Sequence, residues 1–177
     1  MASRAHTARS LTAAILTISD TRSAGTRADT TTALMAEILE GIDIEIVATR
    51  LVPDEQEQIA ATIVELCDGA NLVLTSGGTG LAPRDVTPEA TRSVIDREAP
   101  GIAEAMRAGT AQFQRLAWLS RAVAGTRGRT LVINLPGNPK AVRECLGVLT
   151  PMLPHALKLA SGDDSDGGGG HGAAAKP

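Results

Sequence analysis

Aromatic side chains are almost missing from this sequence: its 177 residues include one tryptophan, one phenylalanine and no tyrosine. A platform for single-stranded nucleic acid needs several rings for bases to stack on, so that class of function is excluded. Any adenine bound here has to lie against aliphatic groups. Positive charge is also short. Seventeen lysines and arginines against 20 acids leave a net charge of −3, which gives no electrostatic footprint for duplex nucleic acid. Cys67 and Cys145 stand far apart and form no CxxC. Each follows helix-like apolar spacing, so buried thiols are expected rather than ligands or a disulfide. His6, His155 and His171 have no partner at metal-ligand spacing, which argues against zinc. No apolar run approaches the length of a membrane span. Met1 to Ser10 is polar, and the apolar run from Leu11 soon meets Ser19-Asp20-Thr21-Arg22, so no signal-peptide core is expected and a cytoplasmic protein is the default.

What is present is the composition of an ordinary folded chain, 43% hydrophobic and 21% charged. A chain of this size buries roughly two thirds of its unfolded surface. One domain is expected over 11–160, after a flexible lead at 1–10. Residues 161–177 are Gly-, Asp- and Ala-rich with four consecutive glycines, and cannot bury enough apolar surface to order themselves.

The stretch around which the chain is organised runs from Thr75 to Pro88, Thr-Ser-Gly-Gly-Thr-Gly-Leu-Ala-Pro-Arg-Asp-Val-Thr-Pro. Asn71 to Leu74 ahead of it reads as a short buried strand. Behind it, Thr87 followed by Pro88 predicts a helix start, with the hydroxyl free to cap. Gly77, Gly78 and Gly80 let the backbone take positive φ and approach a ligand closely. Exposed amides in such a turn bind anions, and Ser76 and Thr79 add hydroxyl donors. Arg84 offers a planar fork for phosphate or carboxylate. Asp85 is out of place beside an anion unless a cation such as Mg²⁺ lies between them. Taken alone, the same cluster is equally that of a tight turn after a strand.

The remaining elements follow from periodicity. Leu11 to Ser19 predicts a buried strand, which makes Ser19 and Asp20 site candidates by position, with turn chemistry as the alternative. Asp29 can cap a helix through Glu40 that faces Leu34, Ile38 and Leu39 inward and stops at Gly41. Ile42, Ile44 and Ile46 alternate with Asp43 and Glu45, the pattern of a strand wet on one side, and an edge position fits. A helix then carries Ile59, Ile63 and Leu66. Asp54, three residues before Glu57, is either a capping box or a metal ligand. A helix is expected over Pro88–Glu98 and another from Ile102 to about Phe113. A strand is expected over Ala117–Thr126, with Ser120 and Arg121 able to face a ligand and a solvated charge as the default for Arg121. Thr130 to Leu135 is a clear strand running into Pro136-Gly137-Asn138-Pro139, a second tight turn with an Asn cap and Pro at the first helical position. Two helix N-termini at strand ends are a better phosphate-site signal than one. The following helix faces Val142, Cys145, Leu146 and Leu149 inward, and a last one restarts at Thr150-Pro151 and ends near Ala160.

Taken together, Ser19-Asp20-Thr21, Val52-Pro53-Asp54-Glu55-Gln56, Ser76-Gly77-Gly78-Thr79-Gly80, Arg84-Asp85-Val86-Thr87-Pro88-Glu89-Ala90-Thr91, Leu119-Ser120-Arg121 and Leu135-Pro136-Gly137-Asn138-Pro139 resemble the MoaB/Mog molybdenum cofactor proteins, including the first-acting domain of gephyrin and its plant counterpart. The matching stretches run in family order from about Leu11 to Ala160. The resemblance implies a three-layer α/β/α domain with a mostly parallel sheet, usually a homotrimer, that adenylylates molybdopterin with Mg-ATP and hands its product to a downstream molybdenum insertase. It implies that Asp54 and Asp85 match the two acids tied to Mg²⁺ and catalysis. The Gly77–Gly80 loop and the Pro136–Pro139 turn would then line the ligand site. The alternative reading is a non-catalytic pterin-binding or assembly protein of the MoaB branch, which Thr75-Ser76 is similar to.

Overall fold

Strand β1, Leu11–Ile18, is apolar at nearly every position because it lies inside the sheet with both faces covered. Successive side chains alternate between faces. Ala13 and Ile15 enter one core with Leu72, Leu74, Leu131 and Ile133. Ala14, Leu16 and Ile18 enter the other with Val73 and Val132. The structure is a computed structural model and describes residues 10–25 and 28–162. Residues 1–9 and 163–177, which hold most of the expected lead and tail, lie outside the described residues, as do His6 and His171.

The other elements in chain order are α1 (Asp20–Ser23), α2 (Thr31–Glu40), β2 (Ile44–Val52), α3 (Gln56–Cys67), β3 (Leu72–Ser76), α4 (Thr87–Arg92), β4 (Arg97–Glu98), α5 (Pro100–Ala111), a 3-10 turn (Arg115–Leu119), β5 (Ala124–Arg127), β6 (Thr130–Leu135), α6 (Pro139–Leu149) and α7 (Leu153–Ser161). The six strands order as β2-β1-β3-β6-β5-β4. β2, β1, β3 and β6 are parallel neighbours, while β5 is antiparallel to β6 and β4 to β5. Helices α2, α5, α6 and α7 cover one face and α3 and α4 the other, giving the three-layer, mostly parallel α/β/α fold that the sequence led us to expect. Because β1, β2, β3 and β6 run the same way, Ser19, Pro53, Gly77 and Pro136 all leave the sheet at its carboxyl edge.

Strand β6 and the inward face of α6 match expectation residue for residue. In α2 the buried positions are Thr31, Met35 and Leu39, while Leu34 and Ile38 are only half-buried. Asp29 does cap this helix, accepting from the amides of Thr31 at 3.0 Å and Thr32 at 3.2 Å. Two expected elements have other bounds. The helix expected over Pro88–Glu98 stops at Arg92, because Asp96 and Ala99 donate instead to Thr126 and Ala124 and draw Arg97–Glu98 onto the sheet edge. The strand expected over Ala117–Thr126 begins only at Ala124, because Arg115–Leu119 closes as a 3-10 turn whose first amides Gln114 satisfies.

Fully buried Asn134 in β6 ties three elements under the carboxyl edge. Its amide nitrogen donates to the hydroxyls of Thr75 in β3 at 3.0 Å and Thr91 in α4 at 2.8 Å, and its oxygen accepts from Val123 N at 3.2 Å. Every hydrogen-bonding group of this buried amide that faces protein is therefore answered.

Candidate functional site

The glycine loop starts where β3 ends. Gly77 has φ +113°, and a Cβ there would stand 2.2 Å from Ile18 O, so no side chain fits. Gly78 has φ +62°, and a Cβ there would meet Thr87 Oγ1 at 2.4 Å and Asp54 Oδ1 at 3.1 Å. The hydroxyl of Thr87 is not the helix cap expected of it. It donates to Gly77 O at 2.9 Å while its amide donates to Gly78 O at 3.1 Å, so it pins α4 to the loop. The amides of Gly78, Thr79 and Gly80 donate to no acceptor among the described residues. Three free amides in a row at the mouth of a cleft form an anion-binding concavity.

Two loops form one edge of that cleft. Ser76 is fully buried and donates through its hydroxyl to Pro136 O at 2.9 Å, so it joins the loops and does not face the cleft as a donor. Gly77 N donates to Leu135 O at 3.1 Å, and a Cβ on Gly137 would lie 3.3 Å from Gly77 Cα. Asn138 caps α6 as expected, accepting from Lys140 N at 2.9 Å with Pro139 next in line. Arg22, buried behind the turn, donates to Gly137 O at 3.3 Å.

Arg121 is not the solvated charge expected by default. Its amide donates to Thr79 O at 2.9 Å, its Nε to Gly80 O at 2.7 Å, and its two terminal nitrogens to Glu89 and to Asp85 O. One planar guanidinium therefore holds both ends of the Gly80–Asp85 segment, a geometry a lysine ammonium does not reproduce. Glu89 is partly enclosed, which raises its pKa, but the Arg121 bond outweighs that and holds its carboxyl below the ordinary range.

An acidic rim lies beside Gly78. Asp20 N donates to Asp54 Oδ2 at 2.9 Å and Asp54 N donates to Asp20 Oδ1 at 3.0 Å. The capping-box alternative for Asp54 is thereby overturned: the N-cap position of α3 is Glu55, and no side chain caps that helix. Burial pushes the Asp54 carboxyl up, and the charges of Asp20 and Asp85 push the same way against the Asp20 amide and Arg84. Asp20 is held below the usual carboxylate range, first by the Asp54 amide and then by Arg84. The fork of Arg84 is already occupied by carboxylates, with Asp20 Oδ2 and Glu55 Oε1 each at 2.9 Å. Asp54 Oδ1 and Asp85 Oδ1 accept no hydrogen bond among the described residues, while Asp85 Oδ2 accepts from Ala82 N at 2.9 Å.

The cleft itself has a volume of about 470 Å³, within the usual range for a small-molecule site. Of the residues singled out from sequence, Gly78, Thr79, Gly80, Asp85, Ser120, Pro136, Gly137 and Asn138 line it. Ser19, Asp20, Asp54, Ser76, Gly77, Arg84 and Pro139 do not. Ser19 caps α1, accepting from Arg22 N at 3.3 Å, and Asp20, Asp54 and Arg84 form the rim. The far wall, which sequence reasoning missed, comes from α5, the 3-10 turn and α6, and includes Met106, Arg107, Leu116, Leu119, Glu144 and Cys145. Burial, with the Glu144 charge beside it, pushes the Cys145 thiol up to about 11, so it stays protonated and is no nucleophile at neutral pH. Among the described residues no group of three or more His, Cys, Asp or Glu is placed to hold a metal, and no helix is long and apolar enough to cross a membrane.

Residues 14–155 match the family described as "Probable molybdopterin binding domain". The molybdenum cofactor synthesis protein cinnamon of Drosophila melanogaster is 40% identical over 158 residues, covering 88% of this chain, which spans only 26% of that longer protein. The molybdopterin adenylyltransferase of Haemophilus influenzae is 46% identical over 164 residues, covering 84% of this chain and 83% of its own length. Among solved structures, the molybdopterin biosynthesis enzyme MoaB from Thermus thermophilus superposes with a TM-score of 0.82 at 51% identity, over 86% of this chain and 97% of that one.

Proposed function

The chain belongs to the family of probable molybdopterin binding domains, and from that premise we propose that it is a molybdopterin adenylyltransferase, moving AMP from Mg-ATP to the terminal phosphate of molybdopterin and releasing pyrophosphate. The observation that carries this reading is the meeting, at Gly78, of three free amides, an apolar cleft and a carboxylate rim. The amides and a cation-binding rim suit two anions, and the apolar wall suits their ring systems.

In this reaction a phosphate oxygen of molybdopterin forms a bond to the α-phosphorus of ATP as the bond to the pyrophosphate oxygen breaks. Such a transfer calls for alignment and charge neutralisation more than for a protein nucleophile, and the cysteine in the lining is a protonated thiol. The amides of Gly78, Thr79 and Gly80 and the capped start of α6 at Asn138 would hold phosphate oxygens. Asp54 and Asp85 would hold Mg²⁺ through the oxygens that accept no hydrogen bond. This donor set fits: Mg²⁺ in nucleotide sites takes one or two carboxylates and completes its shell with water and phosphate. When bound, the ion offsets charge on the triphosphate. Arg84, neutralised by Asp20 and Glu55, would keep the rim in register rather than grip phosphate alone. Arg121 would fix Asp85 by its main chain.

The reading extends to a cytoplasmic homotrimer that passes adenylylated molybdopterin to a molybdenum insertase. The exposed Phe113, Leu116 and Trp118 near the cleft are apolar surface available to such an assembly. The test is to mix the protein with molybdopterin and ATP, with and without Mg²⁺, and follow pyrophosphate. Mg²⁺-dependent release together with adenylylated molybdopterin is expected. Saturable molybdopterin binding with no pyrophosphate would instead mark a non-catalytic pterin-binding protein.

A further inference from the structure

We propose that Glu144 selects the substrate's pterin ring by pairing with its amino-pyrimidinone edge. This rests on the reading that a pterin enters the cleft. Most of the wall away from the glycine loop is aliphatic, from Ala103, Met106, Leu116, Leu119, Ala122 and Cys145. Three charged residues are in the lining: Asp85, Arg107 and Glu144. Asp85 belongs to the loop end. Arg107 is committed in part, one nitrogen donating to Ser120 O and to Ala122 O at 3.2 Å each.

Glu144 is committed to almost nothing. Its side chain is 19% exposed, and among the described residues it accepts no hydrogen bond and makes one ion pair, with Lys140 at 3.9 Å, itself 82% exposed. An ion pair that long and that wet contributes little. A carboxylate withdrawn from most of its water and set in an apolar wall has up to four acceptor sites to fill. Leaving them empty costs free energy that a suitable ligand would recover.

The ligand edge that suits it carries two adjacent N–H donors. A 2-amino-4-oxo pyrimidine ring presents its 2-amino group and N3–H side by side, matching the two carboxylate oxygens as a guanidinium does. Adenine presents an amino group beside the bare N1 lone pair, which would face the second oxygen repulsively. Glu144 thus accepts one ring and rejects the other. The pterin would occupy the α5–α6 end of the cleft, and the nucleotide would lie toward Asp54 and Arg84.

The probes are 6-hydroxymethylpterin and lumazine, which carries an oxo group where pterin has the amino group. Binding is measured by saturation-transfer NMR on wild type and Glu144→Gln, a near-isosteric change whose folding is checked by circular dichroism. We expect wild type to prefer the pterin and Glu144→Gln to lose about 10- to 100-fold in pterin affinity, erasing the preference, with ATP affinity unchanged. In turnover, the KM for molybdopterin should rise while that for ATP stays put. Equal pterin affinity in wild type and variant, lumazine bound as tightly as pterin, or neither probe bound at millimolar concentration overturns the assignment even if adenylyl transfer is normal. Pterin selection by Glu144 in a protein without turnover upholds it and removes only the proposed reaction.

Discussion

Asp20 and Asp54 each receive the other's main-chain N–H, at 3.0 and 2.9 Å, so two loops that end different strands present their carboxyl groups side by side. The exchange has unequal effects. Asp20 gains Arg84 and is held ionised, while Asp54 is left partly buried among negative charge, with its pKa raised.

Removing that charge should separate function from stability. Asp54→Asn keeps an oxygen for the Asp20 amide and loses the repulsion. We expect a melting temperature equal to or above wild type in the absence of ligands, and a fall in pyrophosphate release of about 100-fold or more. Calorimetry and the turnover assay read the two outcomes. Retained turnover would remove Asp54 from the reaction.

The same raised pKa fixes a pH signature. In the unfolded chain Asp54 ionises at the ordinary carboxylate value, and in the folded protein it ionises later. Its unfavourable contribution to stability therefore sets in as pH rises through that window and is relieved as pH falls through it. Comparing wild type and Asp54→Asn by urea unfolding, the variant's advantage should be present at pH 7 and shrink toward acid.

Asp29 should behave in the opposite way. Burial pushes its carboxyl up, but bonds from the Thr32 hydroxyl and from the amides of Thr32 and Thr31 outweigh that and leave it lowered. Asp29→Ala should cost about 1 kcal/mol at neutral pH as a lost helix cap. That cost should persist above the ordinary carboxylate range and fade as pH falls through the depressed folded value, measured by chemical unfolding across the acid range.

Arg121 makes a sharper demand. Arg121→Lys keeps the charge and loses the planar fork that reaches Gly80 O, Asp85 O and Glu89. We expect Arg121→Lys and Arg121→Ala both to lower kcat, with lysine giving little rescue, and the alanine variant to lose about 1 kcal/mol, because the part-exposed Glu89 carboxylate loses its Arg121 partner but keeps water. Full rescue by lysine would reduce the role of Arg121 to charge alone.

Glycine placement gives a contrasting pair. Gly77→Ala forces a Cβ to within 2.2 Å of Ile18 O and should unfold the protein or cost several kcal/mol. Gly147 lies inside α6 with nothing within 4 Å of a Cβ, so Gly147→Ala should stabilise by about 0.5–1 kcal/mol. Thermal melts of the two variants decide it.

What could be read in advance was what local pattern encodes. The β6 strand and the α6 face follow from the run Thr130–Leu135 and from helical spacing of Val142, Cys145, Leu146 and Leu149. The glycine loop was visible because Gly and Pro carry their meaning in the chain itself, whereas Asp54 stayed open between helix cap and metal ligand until its bond to the Asp20 amide was seen. Arg97–Glu98 was misread because its strand exists only through partners at Gly125 and Thr126, nearly 30 residues on. Arg121 escaped because its acceptors lie 32 to 41 residues upstream. Arg107 and Glu144 belong to no local motif, and only the packing of α5 against α6 brings them around one cavity.

The amide of Asn134 has one further bearing. Its three partners sit on β3, α4 and the approach to β5, and Thr75 is the residue just before Ser76. Loss of the hydroxyl at Thr75 or Thr91 leaves an N–H of Asn134 unanswered in a dry interior, so the three side chains act as one unit beneath the glycine loop. Disturbance of that buried triad would therefore be felt at the cleft floor as well as in the core, while serine in place of either threonine keeps the bond.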